Sequence, residues 1–430
     1  MEVISTYRFR LKTRSRQEQA LTQWAGSCRF LWNRLWSIQK GRLDWGLPCL
    51  GYERLCNVIV NLKENHYPWL YNTPAQALQQ VAKNLNRAIN NAFDPEALQH
   101  FPTTKAKHHC TESFKIPQDF IWDRTAKKIT IPKLGTLKYF SHSNVDKILG
   151  EAGEVIIAKD GQHWFVSIQV TSDRPQPKHP NQIIVGGDLG VKTFLQMSDG
   201  VQYLSIHSFR QMKAELADAQ RELSRKKRFS ENWEKQKAKV NGIHSKIARC
   251  RLDHVNKVST LASKNQAHLV LEALKIVNMS ASAAGTAWCP GVNVAAKSGL
   301  NLSILDQGWG MFRTKLAYKM IWRGGRLTLT PPAGTSQRCP KCEHQAKGNR
   351  KTRDTFCCLK CGFTAPADLV GSYNILSQGM SQLSEEGYKF EPWQLLGGKR
   401  GPDDTGTHPS RGDLYGSYKV IAPEPGILGL

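Results

Sequence analysis

The chain has 430 residues, 40% of them hydrophobic, which is enough for two to four domains with buried cores. Sixty Lys and Arg against 35 Asp and Glu leave a formal net charge of +25, and a surfeit of that size points to nucleic acid, whose phosphates release counterions when neutralised. No apolar run reaches the roughly 18 residues of a membrane-spanning helix, and the charged, alternating start Met1 to Arg10 is not expected to be a secretory signal. The 11 cysteines are odd in number and scattered apart from two C-x2-C pairs, which suits a reducing compartment, the cytoplasm, and a metal site rather than a disulfide framework.

In chain order, residues 1–11 read as a strand. Ser15 and Glu18 have capping-box spacing, and Leu21, Trp24, Cys28, Leu31, Leu35 and Ile38 follow at helical spacing. A second helix is predicted from Thr73-Pro74, with proline at its first position and Leu78, Val81, Leu85, Ile89 and Ala92 on its apolar face. Residues 110–172 turn strand-like, around Ile129-Thr-Ile131, Val155-Ile-Ile157 and Trp164-Phe-Val-Ser-Ile168, with a hairpin signal at Asp160-Gly161. A small β-barrel or curved sheet is expected there. The proline-rich stretch 174–180 reads as a linker, residues 183–380 as α/β, and residues 381–430, rich in glycine, proline and polar residues, as largely disordered.

Two knuckles, Cys339-Pro-Lys-Cys342 and Cys358-Leu-Lys-Cys361, stand 15 residues apart. Four thiolates at this spacing can close a tetrahedron around one Zn²⁺, and with no open position the ion is structural. Cys357 is an alternative to Cys358, but the C-x2-C spacing favours Cys358.

Three acidic residues end or follow apolar segments. Asp188 closes Ile183-Ile-Val-Gly-Gly-Asp188, ahead of a predicted returning strand and a tight turn at Ser198-Asp-Gly200, a three-stranded meander of the kind that opens RNase H-like folds. Glu272 closes His268-Leu-Val-Leu-Glu272, where an unpaired buried carboxylate would be costly. Asp368 precedes the apolar helix from Leu369 to Leu376. Singly, Asp188 also reads as a turn residue, Glu272 as a solvent-facing edge residue and Asp368, more readily, as a helix N-cap. Together they supply one acid per core element, as two-metal phosphodiester hydrolysis with Mg²⁺ requires.

As an ordered set the motifs resemble the TnpB family, the transposon-encoded relatives of type V CRISPR nucleases. The resemblance rests on Gly187-Asp188-Leu-Gly-Val-Lys192, Leu269-Val-Leu-Glu272, Gly308-Trp309, Leu316-Ala-Tyr-Lys319, Thr335-Ser-Gln-Arg-Cys-Pro-Lys-Cys342, Asn349-Arg350, the stretch 356–362 and Ala367-Asp368, with Cys28-Arg-Phe-Leu-Trp-Asn33 near the N-terminus. It covers roughly residues 1–380. It implies a multidomain α+β fold. A wedge β-barrel (1–11 and 110–178) would be interrupted by a helical recognition domain (12–109). An RNase H-like RuvC nuclease domain (181–334 and 362–380) would carry an inserted zinc ribbon (335–361). It further implies an RNA-guided DNA endonuclease that binds a guide RNA, cuts double-stranded target DNA beside a short adjacent motif, and holds two catalytic Mg²⁺ ions on Asp188, Glu272 and Asp368 and one Zn²⁺ on the four cysteines. One departure stands out: the family's usual Asn-Ala-Ala after the last aspartate is replaced by Leu369-Val-Gly-Ser372, which bears on how that helix packs.

The cations Arg225, Lys226, Lys227, Arg228, Lys246 and Arg249 lie on predicted helices between the first two acids, where a basic face suits the backbone of an RNA–DNA heteroduplex. Glu215, Glu222, Glu231 and Glu234 on the same helices favour a merely solvated face instead. Reading of the adjacent motif is expected from Tyr52, Gln76, Gln79, Gln80 and Lys83, because amides and cations pair with base edges, although Gln76 fits equally a capping box with Thr73. A guided DNA-binding regulator without cleavage is the alternative function, disfavoured because all three acids remain. A CRISPR-associated miniature effector would share the chemistry.

Overall fold

A computed structural model describes residues 2–392 and 418–421, apart from 98, 108–109, 142–144, 176, 287 and 333. The chain divides into two compact units, residues 1–175 and 176–430.

In the first unit, strand β1 (Glu2–Lys12) leads into helices α1 (Ser15–Asp44), α2 (Tyr52–Asn61) and α3 (Ala75–Phe93). Six strands follow: β2 (Ser113–Ile116), β3 (Ile121–Asp123), β4 (Lys128–Ile131), β5 (Gly135–Phe140), β6 (Glu151–Asp160) and β7 (His163–Asp173). They form one antiparallel sheet in the order β2-β6-β7-β1-β5-β4-β3, so the first strand of the chain lies at its centre. Strand alternation sends Val3, Phe9 and Leu11 inward. The hydrogen-bonded path has no closing pair among the described residues, so the expected barrel is a curved sheet at the level of its ladders.

Leu21, Trp24, Leu31 and Leu35 of α1, Leu78, Leu85 and Ile89 of α3, and Phe114, Ile157, Trp164 and Val166 of the sheet belong to one apolar core. Helices and sheet, expected as separate domains, therefore share their interior. Helix α1 starts one residue earlier than its sequence signal: Arg14 is the cap, and its N–H is bonded by Oε1 of Gln17 at 3.1 Å, while Glu18 accepts from Thr13 Oγ1. Helix α2 was not anticipated, since only Leu55 and Ile59 mark its buried face, too few to set a period. The β6–β7 loop is Gly161-Gln162, because Asp160 already pairs with His163; Gly161 takes the left-handed φ of +61° that starts such a turn.

The second unit opens with β8 (Ile183–Asp188), β9 (Thr193–Met197) and β10 (Gln202–Leu204), then α4 (Ser208–Ser224) and α5 (Glu231–Asn265), a hairpin with its own core of Met212, Leu216, Ala219, Val240, Ile243 and Ile247. After β11 (His268–Glu272) come α6 (Ile276–Met279), α7 (Val294–Gln307), α8 (Trp309–Ile321) and β12 (Arg326–Thr330). Strands β13 (Thr355–Cys357) and β14 (Thr364–Pro366) form the small ribbon sheet, and α9 (Ala367–Glu385), β15 (Lys389–Pro392) and β16 (Tyr418–Ile421) follow. The main sheet runs β10-β9-β8-β11-β12, with β8, β11 and β12 parallel and β9 and β10 antiparallel.

The expectation of disorder from residue 381 is corrected for residues 381–392 and 418–421. Ile375, Leu376, Met380 and Leu383 continue a helical stripe against Ile184 and Val270, so α9 runs on to Glu385. Strand β16 then pairs antiparallel with Ile183 and Ile184 at the start of β8. Residues 393–417 and 422–430 of that stretch lie outside the described residues.

Candidate active site and metal centre

The three acids come from neighbouring elements of the second unit. Asp188 ends β8 and Glu272 ends β11, its parallel neighbour; Leu271 is in register with Gly187, which brings the two carboxylates level at the same edge. Asp368 sits in the first turn of α9. Burial, then the charges of Glu272 and Asp368, push Asp188 up to about 7, against the opposing pull of Arg350 and of the Leu189 N–H. Burial also raises Glu272, whose Oε1 accepts a hydrogen bond from Thr335 Oγ1.

Glycines make the close approach of α9 possible. A Cβ at Gly186 would come within 2.2 Å of the Ser372 carbonyl oxygen, and one at Gly371 within 2.7 Å of Asp188 Oδ2. Only a residue without a side chain admits the backbone or the carboxylate at such distances. The departure Leu369-Val-Gly-Ser372 is thus seated tightly. Val370 is fully buried in the ribbon's core, Gly371 faces the Asp188 carboxylate, and Ser372 backs onto β8. Asn374 ties the helix to the ribbon by donating to the carbonyls of Thr335 and Arg338 at 2.6 and 2.7 Å.

Arg350 is the site residue that sequence reasoning did not single out. Its guanidinium lies 3.6 Å from Asp368 Oδ1 and its charge reaches Asp188. The signal was its place in the Asn349-Arg350 motif, but its pairing depends on how the ribbon folds back. One cation against three carboxylates leaves an excess of negative charge on hard oxygen donors, which fits divalent cations such as Mg²⁺.

The cysteines form a second cluster. Cys339 and Cys361 sulfurs lie 3.6 Å apart, Cys342 and Cys358 sulfurs 3.5 Å, and all four fall within 4.8 Å of one another. A tetrahedral Zn²⁺ with bonds of about 2.3 Å has sulfur–sulfur edges of about 3.8 Å, so the quartet fits the ion. Burial works to raise the Cys358 thiol, but the N–H groups of Cys361 and Lys360 together with the Cys342 and Cys361 side chains outweigh it and draw Cys358 down to about 6, toward the thiolate a metal needs. Cys357 instead pairs with Thr364 in the ribbon sheet.

The expected nucleic-acid contacts are spread out. Arg225, Lys226, Lys227 and Arg228 occupy the α4–α5 turn, and Lys246 and Arg249 are exposed on α5. Three of the acids on this hairpin are engaged with other cations, in the pairs Lys235–Glu231, Lys237–Glu234 and Arg221–Asp218. In the first unit Tyr52 begins α2 and Gln79 and Lys83 are exposed on α3. Gln76 donates to Asp119 rather than completing a cap with Thr73. Gln80 lines a cleft of about 590 Å³ together with Arg29, Trp32, Asn84, Arg87 and Lys105.

The described residues thus define a multidomain α+β protein with a four-cysteine cluster that fits a zinc ribbon. Family models match three stretches: "Helix-turn-helix domain" over residues 1–44, "Probable transposase" over 167–283, and "Cas12f1-like, TNB domain" over 309–375. The first stretch is here a strand followed by one unbroken helix. "Putative RNA-guided DNA endonuclease InsQ" of Escherichia coli (strain K12) is 42% identical over 385 residues, which cover 89% of this chain and 94% of that one. A "Putative RNA-guided DNA endonuclease" of Streptomyces pristinaespiralis is 26% identical over 324 residues, 74% of this chain and 75% of that one. The structure titled "Cryo-EM structure of the Cas12f1-sgRNA-target DNA complex" aligns over 87% of this chain and 99% of that chain at 11% identity, with a TM-score of 0.47. The chain belongs to the TnpB family. Among the described residues no helix is long and apolar enough to cross a membrane.

Proposed function

We propose that the chain is an RNA-guided DNA endonuclease of the prokaryotic cytoplasm that hydrolyses a phosphodiester at Asp188, Glu272 and Asp368. The carrying observation is the raised Asp188: a buried carboxylate pushed up to about 7 by burial and by two acidic neighbours from distant segments is a site built to receive positive charge. Residues 181–334 and 362–380 act as the RuvC domain, a reading supported by the β10-β9-β8-β11-β12 strand order with its antiparallel meander and two further parallel strands. Residues 1–11 and 110–178 serve as the wedge and 12–109 as the recognition helices.

Divalent cations held by the three carboxylates would supply charge neutralisation to the reacting phosphate. The chain does the rest. Thr335 fixes the Glu272 carboxylate by its hydrogen bond. Gly371 leaves room for the Asp188 carboxylate beside α9, and Arg350 holds Asp368 and offers its remaining donors toward a phosphate. The ribbon's zinc is structural: it closes the fold from which Arg350 and the first turn of α9 project.

Protein purified with its co-expressed guide transcript is expected to cut matched double-stranded DNA only with Mg²⁺, and Asp188→Ala to abolish cutting while target binding persists. A preparation that holds no RNA, with Asp188→Ala indistinguishable from wild type, defeats the reading.

A further inference from the structure

The outer turn of the α4–α5 hairpin carries a side chain that packing does not explain. The Ser230 N–H bonds the Lys227 carbonyl at 3.1 Å, which makes residues 227–230 a tight turn, and its third residue, Phe229, has φ of +68°. Glycine or asparagine normally fills such a left-handed turn position, because a bulky side chain there is strained. Phe229 is nevertheless 66% exposed. The hairpin's core ends near Ala219, Leu223 and Val240, so nothing apolar in it reaches the turn.

What surrounds Phe229 has the chemistry of base recognition. Its ring lies 5.5 Å from that of Trp233, at 58°. The Arg228 guanidinium stands 5.1 Å from the Phe229 ring centre and the Lys237 ammonium 4.7 Å from that of Trp233. Residues 225–228 are four consecutive cations with no carboxylate partner among the described residues, whereas Arg221, Lys235 and Lys237 are paired with acids. An ordinary hydrophobic staple at the start of α5, which is capped by Ser230, would pair Phe229 with the fourth helical residue; that is Glu234, and Trp233 precedes it.

We infer that this tip is an RNA-stacking site, in which Phe229 and Trp233 take unpaired bases and the flanking cations take the adjoining phosphates. Unpaired bases of folded RNA are commonly held on aromatic rings and guanidinium planes, without strict sequence preference. This goes beyond the backbone contact expected of residues 225–228, and it rests on the proposed function only for identifying the RNA as the guide.

The test uses the full chain freed of RNA and a fluorescein-labelled single-stranded RNA of about 20 nucleotides, with single-stranded DNA and duplex RNA of equal length as further arms. Phe229→Gly is expected to weaken single-stranded RNA binding about tenfold and duplex RNA binding less than about twofold, without lowering the melting temperature, since glycine suits the turn. Phe229→Trp should bind like wild type, and Phe229→Leu, apolar but without a π face, like Phe229→Gly. The inference is overturned if Phe229→Gly binds the RNA as wild type does, if Phe229→Leu matches Phe229→Trp, or if the loss falls on DNA rather than RNA. A wild-type chain that binds no RNA removes the guided reading as well; intact binding in Phe229→Gly removes only the stacking tip.

Discussion

The cysteine quartet and the carboxylate trio both belong to the second unit and differ in how far they are closed. The four sulfurs gather from two knuckles within 4.8 Å of one another, with buried Phe356, Ala365 and Val370 around them. The three carboxylates come from two strands and a helix, two of them raise the proton affinity of Asp188, and among the described residues they form no comparably tight group. The quartet is shaped to saturate one ion and fix a fold. The trio is more open, with Asp188 under repulsion from its neighbours, which suits the proposed site for cations together with a phosphate.

The largest way to break this contrast is to remove the zinc. Structural zinc sites contribute on the order of 10 kcal/mol to folding, so Cys339→Ser or chelation should unfold the ribbon and expose residues 335–366 to protease. Because Ala367 and Val370 of α9 lie in the ribbon's core, Asp368 should lose its place and cutting should fall roughly a thousandfold. Protease resistance in the zinc-free chain would merge the two clusters into one kind.

Relieving the repulsion comes next. Asp188→Asn should abolish cutting yet stabilise the cation-free fold. The folded state holds a proton on Asp188 up to about pH 7 while the unfolded chain releases it near 3.8, so wild-type stability falls as pH rises through that window. The variant's advantage should therefore grow across it to at most about 4 kcal/mol, as read by urea unfolding, and shrink when Mg²⁺ is added. By the same linkage Mg²⁺ affinity of the wild type should rise with pH up to about 7.

Gly371→Ala sharpens the comparison more gently. Its Cβ would crowd Asp188 Oδ2, so single-turnover cutting should slow about tenfold and stability fall by about 1–2 kcal/mol, with the ribbon's zinc content unchanged. The last test lies away from the acids, at the other end of β11. Burial, then Arg326 and His179, push His268 down to about 4, so the folded state refuses a proton that the unfolded chain takes below about 6.5. Stability from this residue is lost as pH falls from about 6.5 to 4, opposite in slope to Asp188, and His268→Gln should flatten that limb of the urea midpoint against pH.

Much of this was legible in the sequence where local pattern and tertiary role coincide. The continuous apolar runs into Asp188 and Glu272 are what parallel strands buried on both faces require, and the cysteine spacing encodes its own geometry. The illegible parts depend on partners far along the chain. Arg350 gains its role only when the ribbon returns to α9, and Gly371 only when that helix meets β8. Gln76 has capping spacing but finds Asp119, 43 residues away. The composition that suggested disorder after residue 380 conceals Leu383, a single buried residue that carries α9 onward.

The seating of α9 on β8 also imposes an order of events at the ribosome. Asp188 and Glu272 are made well before the helix that bears Asp368 and Gly371 can seat against Gly186 of β8. At about 5–20 residues per second, the stretch from Asp188 to Asp368 takes roughly 10–35 s to make. Throughout that interval Asp368 is missing and the acidic cluster is incomplete, so on the proposed reading the growing polypeptide cannot yet cut nucleic acid.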